Sequence, residues 1–157
     1  MQLPKPLRAL ATVLIVLFLL IVAGMIFKAS QEDQQPLSGK RLEATLQKLE
    51  DQNVHIAGLV MADLYGTEWM EAATVCSGMT VEQVEQLGVG SDLFAIEEGS
   101  IPMDKNYLVF VNQDGDFASA EFNTEDVNLC FQGQPTAFRA YDMNQFYLDG
   151  DTWILAG

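Results

Sequence analysis

The sequence predicts an α+β fold: an N-terminal single transmembrane helix followed by a mainly antiparallel sheet with one longer and one shorter helix. Three observations lead there. Residues 9–27 form an apolar run without a charge. Residues 38–52 and 80–88 carry apolar side chains at helical spacing. The rest of the chain is a series of short apolar segments joined by turn dipeptides, two of them Asp-Gly.

The run from Ala9 to Phe27 is dominated by Leu, Ile and Val. As a helix it would be about 28 Å long, close to the hydrocarbon thickness of a bilayer. It exceeds the h-region of a secretory signal and ends in Met25-Ile26-Phe27-Lys28, a poor cleavage context, so a retained signal anchor is expected. Lys5 and Arg8 precede the run, and Lys28 follows it with Glu32 and Asp33 close behind. The positive-inside rule therefore assigns residues 1–8 to the cytoplasm, 9–27 to the membrane, 28–37 to a linker and 38–157 to an extracytoplasmic domain.

That division also separates the charge. The whole chain has a formal net charge of −14. Residues 1–28 hold three bases and no acid, a net +3, so residues 29–157 hold all 22 acids against five bases, a net −17. Phosphate affinity needs clustered Lys and Arg, so nucleic acid is excluded as a general partner. A surface this acidic favours basic or apolar partners.

Ser38 is the expected cap of a helix reaching about Gln52, with Leu42, Leu46 and Leu49 on its core-facing stripe. Val54–Met61 and Trp69–Cys76 read as strands, the second following a turn at Tyr65-Gly66-Thr67. Thr80 and Gln83 have capping-box spacing at the head of a short helix, with Val81, Val84 and Leu87 as its apolar face and Gly88 at its C-terminus. Leu93–Ile96 reads as a weak strand, and Tyr107–Val111 as a central one because it is apolar without interruption. Asp114-Gly115 joins it to Phe117–Phe122 as a hairpin, and Asp149-Gly150 joins Phe146–Leu148 to Thr152–Leu155. Val127–Phe131 and Ala137–Tyr141 complete the strands.

Cys76 and Cys130 are the only cysteines, and both fall in the part assigned to the outside. An even count in an oxidising compartment predicts a disulfide. A redox pair favours Cys-x-x-Cys spacing, and zinc would need two more ligands with only His55 at hand.

No residue is assigned to catalysis, to a cofactor or to a metal. His55 lies between Val54 and Ile56 without a Ser, Cys or Asp at motif spacing, and is expected to face solvent at the start of a strand. The Asp114–Asp116 and Asp149–Asp151 turns lack the glycine and glutamate positions of a calcium loop and read as hairpin corners. Glu97-Glu98 and Glu125-Asp126 are adjacent acids of the kind that acid–base chemistry uses, but 22 acids make such neighbours common. Alternation along each strand puts Tyr147 and Trp153 on faces opposite Phe146 and Ile154, which leaves room for an apolar contact patch.

The stretch Asp63-Leu-Tyr-Gly-Thr-Glu-Trp69, then Ala73-Thr-Val-Cys76, then Met79-Thr80-Val-Glu82 to Leu87-Gly88 resembles a scattered group of uncharacterised bacterial membrane-anchored extracytoplasmic domains. The resemblance covers about residues 59–122, including the hairpin from Tyr107 to Phe122, and departs at Ser77-Gly78, where Pro and an aromatic are more usual. It implies location and fold rather than an activity. By layout alone the chain is similar to the small single-span accessory subunits of actinobacterial respiratory supercomplexes. The expected role is a non-enzymatic accessory subunit of a membrane protein complex, specifically a respiratory cytochrome bc/oxidase supercomplex, in contact with membrane lipid and with other membrane-protein subunits. The alternatives are a free-standing anchored binding domain for a cell-envelope ligand or basic partner, and a carboxylate-dependent envelope hydrolase.

Overall fold

The computed structural model describes residues 37–156. The transmembrane helix expected at 9–27, with Lys5, Arg8 and Lys28 beside it, lies outside the described residues. Among those described, no helix is long and apolar enough to cross a membrane.

The α+β class holds, but the single expected sheet is two. The first has the order β4-β3-β2-β6 and is built from Phe117–Asn123, Lys105–Asn112, Trp69–Val75 and Ala137–Arg139. The second has the order β1-β7-β8-β5, from Ile56–Val60, Met143–Asp149, Thr152–Leu155 and Val127–Asn128. Every pairing is antiparallel except β5 with β8. Three short helices accompany them: α1 (Lys40–Asp51), α2 (Met61–Tyr65) and α3 (Val81–Gln86).

Strand β3 explains the layering. Its alternate side chains go to opposite faces, and both faces are buried. Leu108 and Phe110 enter the main core with Leu42 and Leu46 of α1, Phe122 of β4, Phe146 of β7, and Trp153 and Leu155 of β8. Tyr107 and Val109 enter a second cluster with Val75, Val84, Val89, Phe94 and Ile101. Residues 76–104 thus form a cap on the far face of the first sheet, while α1 and the second sheet cover the near face. Asn106, fully buried, joins the layers: its Nδ2 donates to Val127 O at 2.9 Å and its Oδ1 accepts from Leu129 N at 3.0 Å.

Local signals were followed where tertiary contacts permitted. The Thr80–Gln83 capping box is present, and Gly88 follows α3 with φ +78°. Leu87, expected on the apolar face of α3, is instead exposed; Val84 alone is fully buried there. Ser38 is not the cap of α1, which starts at Lys40 behind Gly39 with no side-chain cap. A Cβ at Gly39 would collide with the Glu121 carbonyl, so close approach to β4 sets that end of the helix. Met61 leaves the expected first strand to start α2. Leu93–Ile96 is not a strand: a 3-10 turn at Ser91–Leu93 drops Phe94 into the cap cluster, edge-on to Tyr107. Val127–Phe131 and Ala137–Tyr141 shrink to β5 and β6, whereas Phe146–Leu148 lengthens to β7.

The Cys76–Cys130 disulfide is formed, tying the start of the cap to the segment after β5 across 54 residues. Replacing both cysteines by Ala in the full-length chain is expected to lower unfolding stability by about 4 kcal/mol, the chain-closure value for a loop of this length. Urea unfolding in detergent reads it, and an unchanged midpoint would contradict it.

Candidate acidic cleft

Helix α1 presents two stripes. Leu42 and Leu46 face the core, while Lys40, Glu43, Gln47 and Glu50 recur three or four residues apart on the neighbouring face. That second stripe forms one wall of a cleft of about 430 Å3. Val127 and Trp153 form the floor, and Asp126 and Asp151 stand opposite. Their positions come from the second sheet: Trp153 N donates to Asp126 O at 3.0 Å, and Thr152 Oγ1 donates to Glu125 O at 2.6 Å. Asp151 belongs to the Asp149-Gly150-Asp151 corner, where Gly150 has φ +62°. Among the described residues the cleft is thus lined by four carboxylates, the edge of Trp153 and one base, Lys40.

Electrostatics and burial are visible in two groups. Partial burial, then the nearby Asp126 carboxylate, raise the Glu43 carboxyl above the usual range, and Lys40 only partly offsets them. Trp153 is buried, and its indole N–H has no hydrogen-bond partner among the described residues. An acidic rim is suited to an ammonium or guanidinium group, which gains charge-assisted hydrogen bonds to the carboxylates.

Two other grooves differ in kind. One of about 450 Å3 lies on the outer face of the first sheet, with Ala73, Val111 and Ala137 on its floor and Leu87 at its lip. Arg139 at its edge is held by Asp142 at 2.9 Å. The other, of about 360 Å3, lies beside the linker end and contains Lys105, Tyr107 and Glu121. There Glu121 accepts from Lys105 Nζ at 2.8 Å and from Tyr107 Oη at 2.9 Å. Burial, with that carboxylate as a further cause, pushes the Tyr107 phenol up to about 12. Lys105 in turn holds the Glu121 carboxyl below its usual range. These polar groups satisfy one another within the sheet, and Tyr107 Oη also accepts from Ala95 N at 3.2 Å, which ties the cap to the sheet.

The residues weighed from sequence are dispersed. His55 is exposed at the head of β1, where its carbonyl accepts from Leu148 N at 2.9 Å. Asp114-Gly115-Asp116 is a hairpin corner: Asn112 Oδ1 accepts from the amides of Asp114 and Asp116, both at 2.9 Å. Glu97 and Glu98 stand in an exposed turn of the cap. Of the acids weighed from sequence, Asp126 and Asp151 reach the cleft. No group of three or more His, Cys, Asp and Glu able to hold a metal occurs among the described residues. Sequence reasoning missed Glu43, Glu50, Asp151 and Trp153 as a group. The α1 stripe is readable from its period, but the facing wall depends on where β8 packs.

The converging acids also meet the first requirement of a carboxylate-dependent hydrolase. Yet Lys40, Gln47, Asp126 and Asp151 are exposed, so water reaches the cleft, unlike the desolvated sites in which general acids operate. Comparison with protein-family models, with curated proteins and with solved structures returns no match.

Because the folded state raises the Glu43 carboxyl, its contribution to stability is full at low pH and is lost as pH rises through the raised value. Glu43→Gln should therefore stabilise the chain at pH 7, by less than about 1 kcal/mol for a group this near water. The gain should vanish once the carboxylates are protonated. Thermal unfolding across pH checks the sign, and destabilisation at pH 7 would contradict it.

Proposed function

We propose that the chain is a non-enzymatic docking subunit of a membrane protein complex, and that its acidic cleft receives a basic segment of a partner. In this reading residues 9–27 anchor it in the cell membrane as a single-pass signal anchor. Lys5, Arg8 and Lys28 set the topology, with the N-terminus cytoplasmic and the acidic domain extracytoplasmic. A bacterial respiratory cytochrome bc/oxidase supercomplex is the partner assembly this reading specifies.

The observation that carries it is the cleft, lined by Glu43, Glu50, Asp126 and Asp151 beside the buried Trp153. Burial, and after it the nearby Asp126 carboxylate, raise the Glu43 carboxyl, which opposes stability near neutral pH. Such an arrangement is explained by a bound cation that relieves it, a trade of stability for binding. The disulfide between Cys76 and Cys130 supports an oxidising compartment. Charge steering would bring a basic surface to a domain of net −17 over residues 29–157 quickly, and salt would weaken the encounter.

A second reading draws on the cleft's size. About 430 Å3 suits one Lys or Arg side chain with its backbone, so a free-standing anchored domain could bind a basic envelope ligand without any subunit partner.

Purification of the full-length chain from its own membranes through a tag after Gly157 separates them. A stoichiometric membrane partner is expected, and it should be released by high salt. Glu50→Gln combined with Asp151→Asn should weaken retention on the order of tenfold. Recovery of the chain alone contradicts the subunit reading, and retention indifferent to salt and to both substitutions contradicts the role of the cleft.

A further inference from the structure

Among the described residues, strand β1 is an outer edge of the second sheet, paired with β7 on one side and with no strand on the other. Leu148 N donates to His55 O, and Ala156 N donates to Gln145 O, both at 2.9 Å. With the β1–β7 register of Ile56 against Tyr147 and Val60 against Met143, this alternation turns residues 55, 57 and 59 toward β7. The backbone groups of Ile56, Gly58 and Val60 therefore point away from the sheet. Val60 starts α2 as its N-cap, which engages its carbonyl, so Val60 offers an amide while Ile56 and Gly58 offer both groups. Edge strands are normally guarded by Lys, Pro, an inward charge or a bulge. Ile56-Ala57-Gly58-Leu59-Val60 has none of these.

The surface beside that edge is also uncharged. Ile56, Tyr147 and Ile154 align across β1, β7 and β8 on the outer face, followed by Gly58 with Gln145 and then Val60 with Met143. Ile56 is 62% exposed and Met143 76%. Met143 lies over Gly58 so closely that a Cβ there would stand 2.7 Å from its sulfur.

We propose that β1 pairs antiparallel with β1 of a second copy of this chain, about a two-fold axis through Gly58, to make one continuous sheet of eight strands. The edge is complementary to itself in that register. Gly58 meets Gly58 of the partner subunit in a doubly hydrogen-bonded pair, and each Val60 amide reaches the opposing Ile56 carbonyl, four bonds in all. Ile56 packs beside Val60 of the partner subunit, and the two Met143 side chains flank the axis above the glycines. Charge argues for the same site. Residues 29–157 carry a net −17, which opposes self-association except where no charged side chain stands, and β1 with its neighbouring outer face is such a place. A five-residue strand pair buries less than the roughly 1,200 Å2 of a stable interface, so the dimer is weak and concentration-dependent. The inference is independent of the basic partner at the cleft.

Sedimentation of the full-length chain in detergent, from about 1 to about 100 μM, should give a monomer–dimer equilibrium that strengthens with salt as self-repulsion is screened. Ile56→Lys, at an exposed position that leaves the core intact, should raise the dissociation constant at least about tenfold with an unchanged far-ultraviolet spectrum. Register is tested by mixing chains carrying Ile56→Cys with chains carrying Val60→Cys and adding a short bis-maleimide. The mixture should crosslink more than either variant alone. A monomer at every concentration, a dimer indifferent to Ile56→Lys, or crosslinking without that preference would each overturn the proposal.

Discussion

The burial of β3 on both faces is the constraint from which the rest of the architecture follows. Lys105–Asn112 is apolar at five consecutive positions apart from Asn106 nearby, so neither face can be left to water. One face recruits α1 and a whole second sheet; the other recruits the cap of residues 76–104. The buried Asn106 side chain and the Cys76–Cys130 bond then join segments that strand pairing leaves separate. An unpaired amide or carbonyl at Asn106 would carry a desolvation cost of about 1–3 kcal/mol, which fixes β5 against the first sheet.

Covering β3 in this way leaves the second sheet covered on one side only. Phe146, Trp153 and Leu155 are spent on the shared core, and Tyr147 and Ile154 are turned outward by the same alternation. The acids are likewise placed by packing. Once Leu42 and Leu46 face inward, Glu43 and Glu50 have to stand at the seam between α1 and β8. The domain therefore has an acidic seam on one side of Trp153 and an uncharged edge at β1. Charge directs what can approach each of them: a cation at the seam, and at the edge a surface without charge.

Legibility in the sequence tracks the range of the interaction. The Thr80–Gln83 capping box, the Asp-Gly corners and the central character of Tyr107–Val111 were readable because each is decided within a few residues. The disulfide was readable from the even cysteine count together with the expected compartment. Division into two sheets was not, because Ile56 finds Tyr147 ninety-one residues away and nothing local announces that pairing. Ser38 carried the local signal for a cap and lost to the close approach of Gly39 to β4. Phe94 looked like part of a strand because it is apolar, but it serves as a plug from a turn. The Lys40–Glu43–Gln47–Glu50 period carries a signal for half of the cleft that the reading of the leucine stripe passed over; Asp126, Asp151 and Trp153 join it only through tertiary packing.

The protein is proposed to work through two surfaces, the acidic seam between α1 and β8 and the open edge of β1. Amide hydrogen exchange of the full-length chain tests it most directly, comparing native membranes with dilute detergent solution. The account predicts slower exchange in membranes for residues 40–60, which hold the α1 wall of the cleft and the β1 edge, with no change in the cap of residues 76–104. Equal exchange in the two settings over residues 40–60 would contradict it.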